Sequence, residues 1–305
     1  MNYLRKIGLF TILNCICLLT GCNTHKHDFE ILVDYSDCKT TYLTGQDFNP
    51  EGLKFKRVCK ECGLEEKLTS FVMLDGDELT EDIEEVSVRV DKKIVYIPIT
   101  VKNSYKVACC GDSLTYGHAW PNEAYPVYIN DYAEHVFEIK NCAENGLSIT
   151  GYGGSYNNPN QRYQLRDVYN TSISFNPDVV ILGLGSNDAT GWANAKDQYE
   201  ERYKELIDSY IEKLGEGVKF IMIVSPPTLN PNSFNIPNDV IKNNVNPIQR
   251  ELAEEYGMEM LDLRELFEEK EGGYTSFIRP GDGVHLSVDG AKFVAEQIAQ
   301  ILEQI

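Results

Sequence analysis

The chain has 305 residues, 28 Lys+Arg against 47 Asp+Glu for a formal net charge of −19, and 42% hydrophobic residues. That composition builds a folded core, and the length allows one large domain beside a small one. The acid excess is spread along the chain and argues against nucleic acid or anionic lipid as partner, since both are polyanions and would be repelled.

The N-terminus reads as an address. Arg5 and Lys6 give a basic start, and an apolar run follows from Ile7 to Leu19. Such a run is too short to span a bilayer but suits a secretory signal. It ends in Leu19-Thr20-Gly21-Cys22, which resembles a bacterial lipoprotein lipobox. The resemblance implies removal of residues 1–21, lipidation of Cys22, and an extracytoplasmic protein held at a cell membrane or cell surface by acyl chains. Cys15 and Cys17 would leave with the signal, so the nine cysteines of the chain are too few for a disulfide scaffold. Cys109 and Cys110 lie in an apolar stretch, where a thiol behaves as a small buried hydrophobe; a bridge to Cys142 is the less favoured reading.

Residues 22–103 read as a small β module. Glu30–Asp34, Thr69–Met73, Val86–Val90 and Ile94–Ile99 alternate or run β-branched and are separated by turn residues such as Asp75-Gly76-Asp77. Several short strands without a helical period predict a β-sandwich-like fold. The stretch Tyr42–Phe48 with Glu51-Gly52-Leu53 resembles the opening of bacterial immunoglobulin-like surface modules, which implies a spacer or sugar-proximal role. Within it, Cys59-Lys60-Glu61-Cys62-Gly63 has the spacing with which two thiolates grip one Zn²⁺, but a second pair of donors is needed and only His25 and His27 are on offer. A half-site completed by those histidines, a tight local disulfide, and pairing of Cys38 with either cysteine stay open; a structural role is expected, without commitment to a metal.

From residue 104 to 305 strands and helices alternate. Val107–Cys110, Val179–Leu184, Phe220–Val224 and Met258–Leu263 are short unbroken apolar runs, as in strands covered on both faces. Between them Tyr199, Tyr203, Leu206, Ile207, Tyr210, Ile211 and Leu214 recur at helical spacing and stop near Gly215. The last helix has Ser287 as its expected N-cap and an apolar stripe from Ala291 to Leu302. Strands joined through helices pair in parallel. The expected fold is a three-layer α/β/α, flavodoxin-like parallel sheet with its site at the carboxyl ends of the strands.

The chemically suggestive residues fall where that topology puts a site. Gly111-Asp112-Ser113-Leu114 follows the first strand, and a Ser at such a turn needs a base before it can act as a nucleophile. Of the five histidines, only His285 has a carboxylate placed to orient it, three residues earlier at Asp282. An acyl-transfer site also needs donors for an oxyanion. Asn187, after the strongest strand Val179–Leu184, can offer its amide, and Gly146 can offer a backbone N–H with no side chain in the way.

These segments resemble the GDSL esterases, or SGNH hydrolases, over about 200 residues, with all blocks in family order. The resemblance implies Ser113 as nucleophile and oxyanion donor, Gly146 and Asn187 as the other donors, His285 as base, Asp282 as its orienting group, and neither metal nor organic cofactor. The second block departs from the family's small residues, with Glu144-Asn145 before Gly146, and Gly151 is the alternative glycine. Leu182–Asp188 followed by Gly191-Trp192 looks like the sialate O-acetylesterase-like branch, which implies removal of acetyl groups from an O-acylated carbohydrate. Trp120, Tyr152, Tyr156, Tyr163 and Trp192 are candidate sugar-stacking rings, and the polar loop Gly151–Asn160 argues against long acyl chains. The alternatives are a lysophospholipase, thioesterase or general short-chain esterase, and a non-catalytic surface binding protein.

Overall fold

The apolar runs of the C-terminal two-thirds become central strands because successive residues face two different apolar layers. In the computed structural model, which describes residues 27–305, strands β1 (Lys106–Gly111), β2 (Glu138–Ala143), β3 (Val179–Gly183), β4 (Lys219–Val224) and β5 (Glu259–Asp262) form one parallel sheet in the order β2-β1-β3-β4-β5. Cys22, His25 and the expected signal segment lie outside the described residues.

On one face, Val107, Cys109, Ile181 and Ile221 pack against α1 (Tyr125–Tyr132) and α5 (Val288–Leu302) through Tyr125, Ile129, Ala291, Val294 and Ile298. On the other, Ala108, Cys110, Val180, Leu182 and Met222 pack against α2 (Asp167–Phe175), α3 (Tyr199–Leu214) and α4 (Asn246–Glu255) through Tyr169, Tyr203, Leu206, Tyr210 and Leu252. The result is the three-layer, flavodoxin-like order. Both helix ends read from sequence are present: Gly290 N donates to the Ser287 hydroxyl at 3.1 Å, and Gly215 N donates to Ile211 O at 2.9 Å with φ +95°. Cys109, Cys110 and Cys142 are buried, burial pushes the Cys109 thiol up, and no disulfide joins the six cysteines of the described residues. Among the described residues no helix is long and apolar enough to cross a membrane.

The smaller unit consists of the described residues up to Lys39, Asn49–Asp75 and Val86–Ile97. Phe29–Asp34, Lys54–Cys59 and Glu65–Leu68 make one antiparallel sheet; Val72–Met73, Glu85–Val90 and Lys93–Pro98 make a second. Asp91 and Lys92, both at positive φ (45° and 67°), form the two-residue hairpin turn whose twist suits the flanking strands.

The two units interleave along the chain instead of meeting at the expected boundary between residues 103 and 104. Thr40–Phe48 and Gly76–Glu85 group with Pro98–Ile305. The reason is tertiary. Thr41–Leu43 pairs in parallel with Thr100–Lys102, Leu43 is fully buried among Tyr105, Val107 and Ile129, and the Gln46 side chain donates to Glu303 O at 3.1 Å.

Candidate active site

At the carboxyl end of β1 the chain turns directly into a short helical turn, Ser113–Tyr116, capped by the Asp112 carboxylate, which accepts from Leu114 N at 2.9 Å. Ser113 occupies its first position, where a backbone N–H has no partner within the helix. Its hydroxyl lies 2.9 Å from His285 Nε2 although 172 positions separate the two residues. His285 Nδ1 lies 3.0 Å from Asp282 Oδ2, and Asp282 Oδ1 accepts from the backbone N–H groups of Val284 (2.8 Å) and His285 (2.9 Å). Gly283, between them, sits at φ +78°, the conformation that lets an Asp reach forward to its own loop.

The electrostatics suit a base at neutral pH. Burial pulls the His285 pKa below the ordinary histidine value; the Asp282 carboxylate opposes this, and the charges of His118 and Arg279 add to it. Burial would raise Asp282, but the two backbone bonds and the imidazole outweigh it and hold the carboxyl below its ordinary range. A hydroxyl facing a neutral imidazole whose second nitrogen is held by a carboxylate can lose its proton while attacking a carbonyl.

The structure also brings Asn187 and Gly146 to one place. Gly154 packs between them: a Cβ there would lie 2.4 Å from Gly146 O and 2.9 Å from Asn187 Cγ. Gly146 has φ +75°, and a Cβ on it would collide with Ser155. The alternative, Gly151, already donates its N–H to Ser148 Oγ at 3.0 Å. The Asn187 amide donates to Leu147 O at 2.8 Å and to Asp112 Oδ2 at 3.2 Å, so an incoming oxyanion would compete with the longer, weaker of these bonds. Burial raises Asp112 to about 7; the Leu114 N–H opposes this and the nearby Asp188 carboxylate adds to it. Asp188 holds the loop after β2, accepting from Ile149 N, Thr150 N and Thr150 Oγ1 at 2.9, 2.9 and 2.7 Å. The unusual Glu144 is accommodated by Arg166 (2.7 Å) and the Tyr156 hydroxyl (2.9 Å).

Of the aromatic candidates, Tyr163 is buried and donates to Cys142 O, Trp192 packs edge-on against Tyr199, and Tyr156 is tied to Glu144. Trp120 remains exposed, with its ring 6.0 Å from that of His118 and the Arg279 guanidinium 3.8 Å above it. Of three neighbours of His285, sequence reasoning placed His118 in a loop that could line the pocket and missed Phe234 and Arg279. The His118 ring stacks on His285 at 4.0 Å with a 6° interplanar angle, Phe234 meets His285 edge-on at 5.0 Å, and the Arg279 backbone N–H donates to His285 O at 2.7 Å. Phe234 lies in the loop after β4, and that position on a parallel sheet was the available signal. A small recess, partly open to solvent, lies beside Ser113 and His285 and is walled by Gly117, Glu123, Ala124, Arg279 and Leu286.

A Ser–His–Asp arrangement, with Ser113 and His285 buried and Asp282 partly so, at the carboxyl edge of a doubly wound parallel sheet defines the class of site. The chain belongs to the GDSL-like Lipase/Acylhydrolase family, whose pattern it matches over residues 109–293. It is 25% identical over 232 residues to an acetylxylan esterase of Xylanibacter ruminicola, covering 68% of this chain and 45% of that one. It is 24% identical over 173 residues to GDSL esterase/lipase CPRD49 of Arabidopsis thaliana, covering 52% and 66%. The chain thus spans between about half and two-thirds of these relatives. In structure it resembles the acetyl xylan esterase AlAXEase, with TM-score 0.50, 22% identity, and 65% and 99% of the two chains covered. A protein assigned as a GDSL-like lipase from Parabacteroides merdae gives TM-score 0.52 at 18% identity, covering 67% and 97%. These two likenesses establish the fold.

Proposed function

We propose that this protein is a serine esterase that removes acetyl groups from O-acylated carbohydrate. The observation that carries the reading is the continuous Ser113–His285–Asp282 line, with heavy-atom separations of 2.9 and 3.0 Å. Ser113 attacks the ester carbonyl as His285 takes its proton, and the oxyanion is held by the N–H groups of Ser113 and Gly146 and by the Asn187 amide. His285 then protonates the leaving sugar hydroxyl and activates water to release acetate. The acetylxylan esterase relative supports acetyl on a sugar, and the resemblance of Leu182–Asp188 to the sialate branch supports the same bond on a different sugar.

Acetate release from O-acetylated xylan, pectin, sialic acid and peptidoglycan fragments tests this reading, beside an acyl-chain series from acetate to palmitate. Release from a sugar with preference for acetate is expected, and a preference for long chains overturns it. The basic start, short apolar run and Leu19–Cys22 motif support action outside the cytoplasm from a lipid anchor on Cys22. Cys22→Ala is expected to release the protein from the membrane fraction; detection of unlipidated Cys22 in wild-type protein refutes the anchor.

A further inference from the structure

We propose that His27, Cys59 and Cys62 form a zinc site at the edge of the smaller unit, remote in chemistry from ester cleavage. The site is assembled by sheet register. Lys54–Cys59 and Glu65–Leu68 are the two arms of a hairpin whose tip is Cys59-Lys60-Glu61-Cys62-Gly63. Gly63 N donates to Cys59 O and Cys59 N donates to Leu64 O, both at 2.9 Å, closing a turn with both cysteines at its tip. Gly63 has φ +71° with open space around its missing Cβ, so backbone conformation, not crowding, calls for glycine there.

The third donor arrives from the neighbouring strand. Phe29 is paired with Cys59, and the ladder continues through Lys60 N donating to Asp28 O at 2.9 Å. Continuing that register by one more position delivers His27 to the hairpin tip. His27 Nδ1 stands 3.3 Å from Cys59 Sγ and 3.4 Å from Cys62 Sγ, and the three donor atoms all lie within 4.8 Å of one another. One ring nitrogen carries at most one proton and can donate to one sulfur, so near-equal approach to both is better explained by a shared centre. Tetrahedral zinc, with Zn–S about 2.3 Å and Zn–N about 2.1 Å, sets N···S separations of about 3.6 Å. The observed spacing reaches that with shifts of a few tenths of an ångström.

The donor set selects the ion. Two thiolates and an imidazole in tetrahedral array suit zinc and are soft for magnesium or calcium. Cys59 is buried while His27 and Cys62 are exposed, so the fourth position faces outward and takes water or a further donor. The role follows from size. The buried apolar residues of this unit are Phe55, Cys59, Val86, Val88, Val90 and Ile97. A core so small ordinarily needs a staple, and metal ligation supplies folding free energy directly. It also withholds both thiols from oxidation.

The test uses the full chain purified without chelator or reductant. Elemental analysis is expected to find stoichiometric zinc, lost in Cys62→Ser and in the Cys59→Ser/Cys62→Ser double variant, and bound more weakly in His27→Ala. Esterase kinetics should stay unchanged, since none of the three residues belongs to the catalytic cluster. Should the cysteine variants fold poorly, Co²⁺ titration of the wild-type chain decides: a thiolate-to-cobalt charge-transfer band supports the site. Reactive thiols without metal, a Cys59–Cys62 disulfide in peptide mapping, undiminished zinc in the double variant, or unchanged affinity in His27→Ala would each overturn it.

Discussion

The larger unit takes polar groups inside and bonds most of them there, leaving a few atoms such as Asn246 Oδ1 and the Tyr199 hydroxyl without a partner, whereas the smaller unit leaves its charges at the surface as ion pairs. In the larger unit Asp112, Asp188, Asn246, Gln249 and His285 are all at most 4% exposed, and Asp188 alone accepts three hydrogen bonds. In the smaller unit the charges sit on partly exposed pairs such as Arg57–Glu66, Arg57–Asp91 and Lys56–Glu65. Screened pairs of this kind contribute little to stability. Buried polar groups such as Asp188, by contrast, are costly to assemble and mark the place where the fold is organised around chemistry.

The comparison is put at greatest risk by removing the nucleophile. Ser113→Ala should reduce kcat on p-nitrophenyl acetate by about 10⁴-fold or more with an unchanged circular dichroism spectrum; retained turnover would move the chemistry elsewhere. Asp282→Asn should cost about 10³–10⁴-fold in kcat, because the imidazole loses the acceptor that sets its tautomer. Asn187→Ala should cost about 10²–10³-fold, falling on kcat more than on KM, as expected for a donor used in the transition state. The boundary itself is tested by paired truncations. Leu43→Ala should destabilise the larger unit by about 2–5 kcal/mol, whereas Ile97→Ala should lower only the melting of the smaller unit and leave kcat/KM unchanged. The smallest effect concerns pH. His285 acts as base only when neutral, so activity is present above its depressed pKa and lost as pH falls through it. His118→Phe keeps a stacked ring but removes a charge that lowers that pKa, so the acid limb should move to higher pH; an unmoved limb would deny the coupling.

Local pattern was enough for much of the larger unit. Val179–Gly183 and Lys219–Val224 are legible as strands because burial on both faces leaves an unbroken apolar run. Lys54–Cys59, with Lys54, Lys56 and Arg57 among its six residues, is hidden because its charges pair outward across the sheet and mask the alternation. Glu138–Ala143 is similarly faint, since its first four residues are only partly buried or exposed at the sheet edge. His118 could be read only as a loop residue and Phe234 only by its position after β4, for ring stacking on His285 joins loops with no spacing rule between them.

The acid excess of the chain is compatible with a site whose buried carboxylates, Asp112 and Asp188, are individually hydrogen-bonded. By itself the amino-acid sequence determined the class of fold, the residues Ser113, Asp282 and His285, and the thiol pair Cys59 and Cys62, because each rests on periodicity or on spacing within one loop. Only the tertiary structure decided that Ser113 meets His285 across 172 positions, that Gly154 lies against both Gly146 and Asn187 while the Gly151 N–H is taken by Ser148, that Thr40–Phe48 belongs to the larger unit, and that His27 meets both thiols. Each of those depends on which distant surfaces bury one another, a quantity that sequence periodicity does not contain.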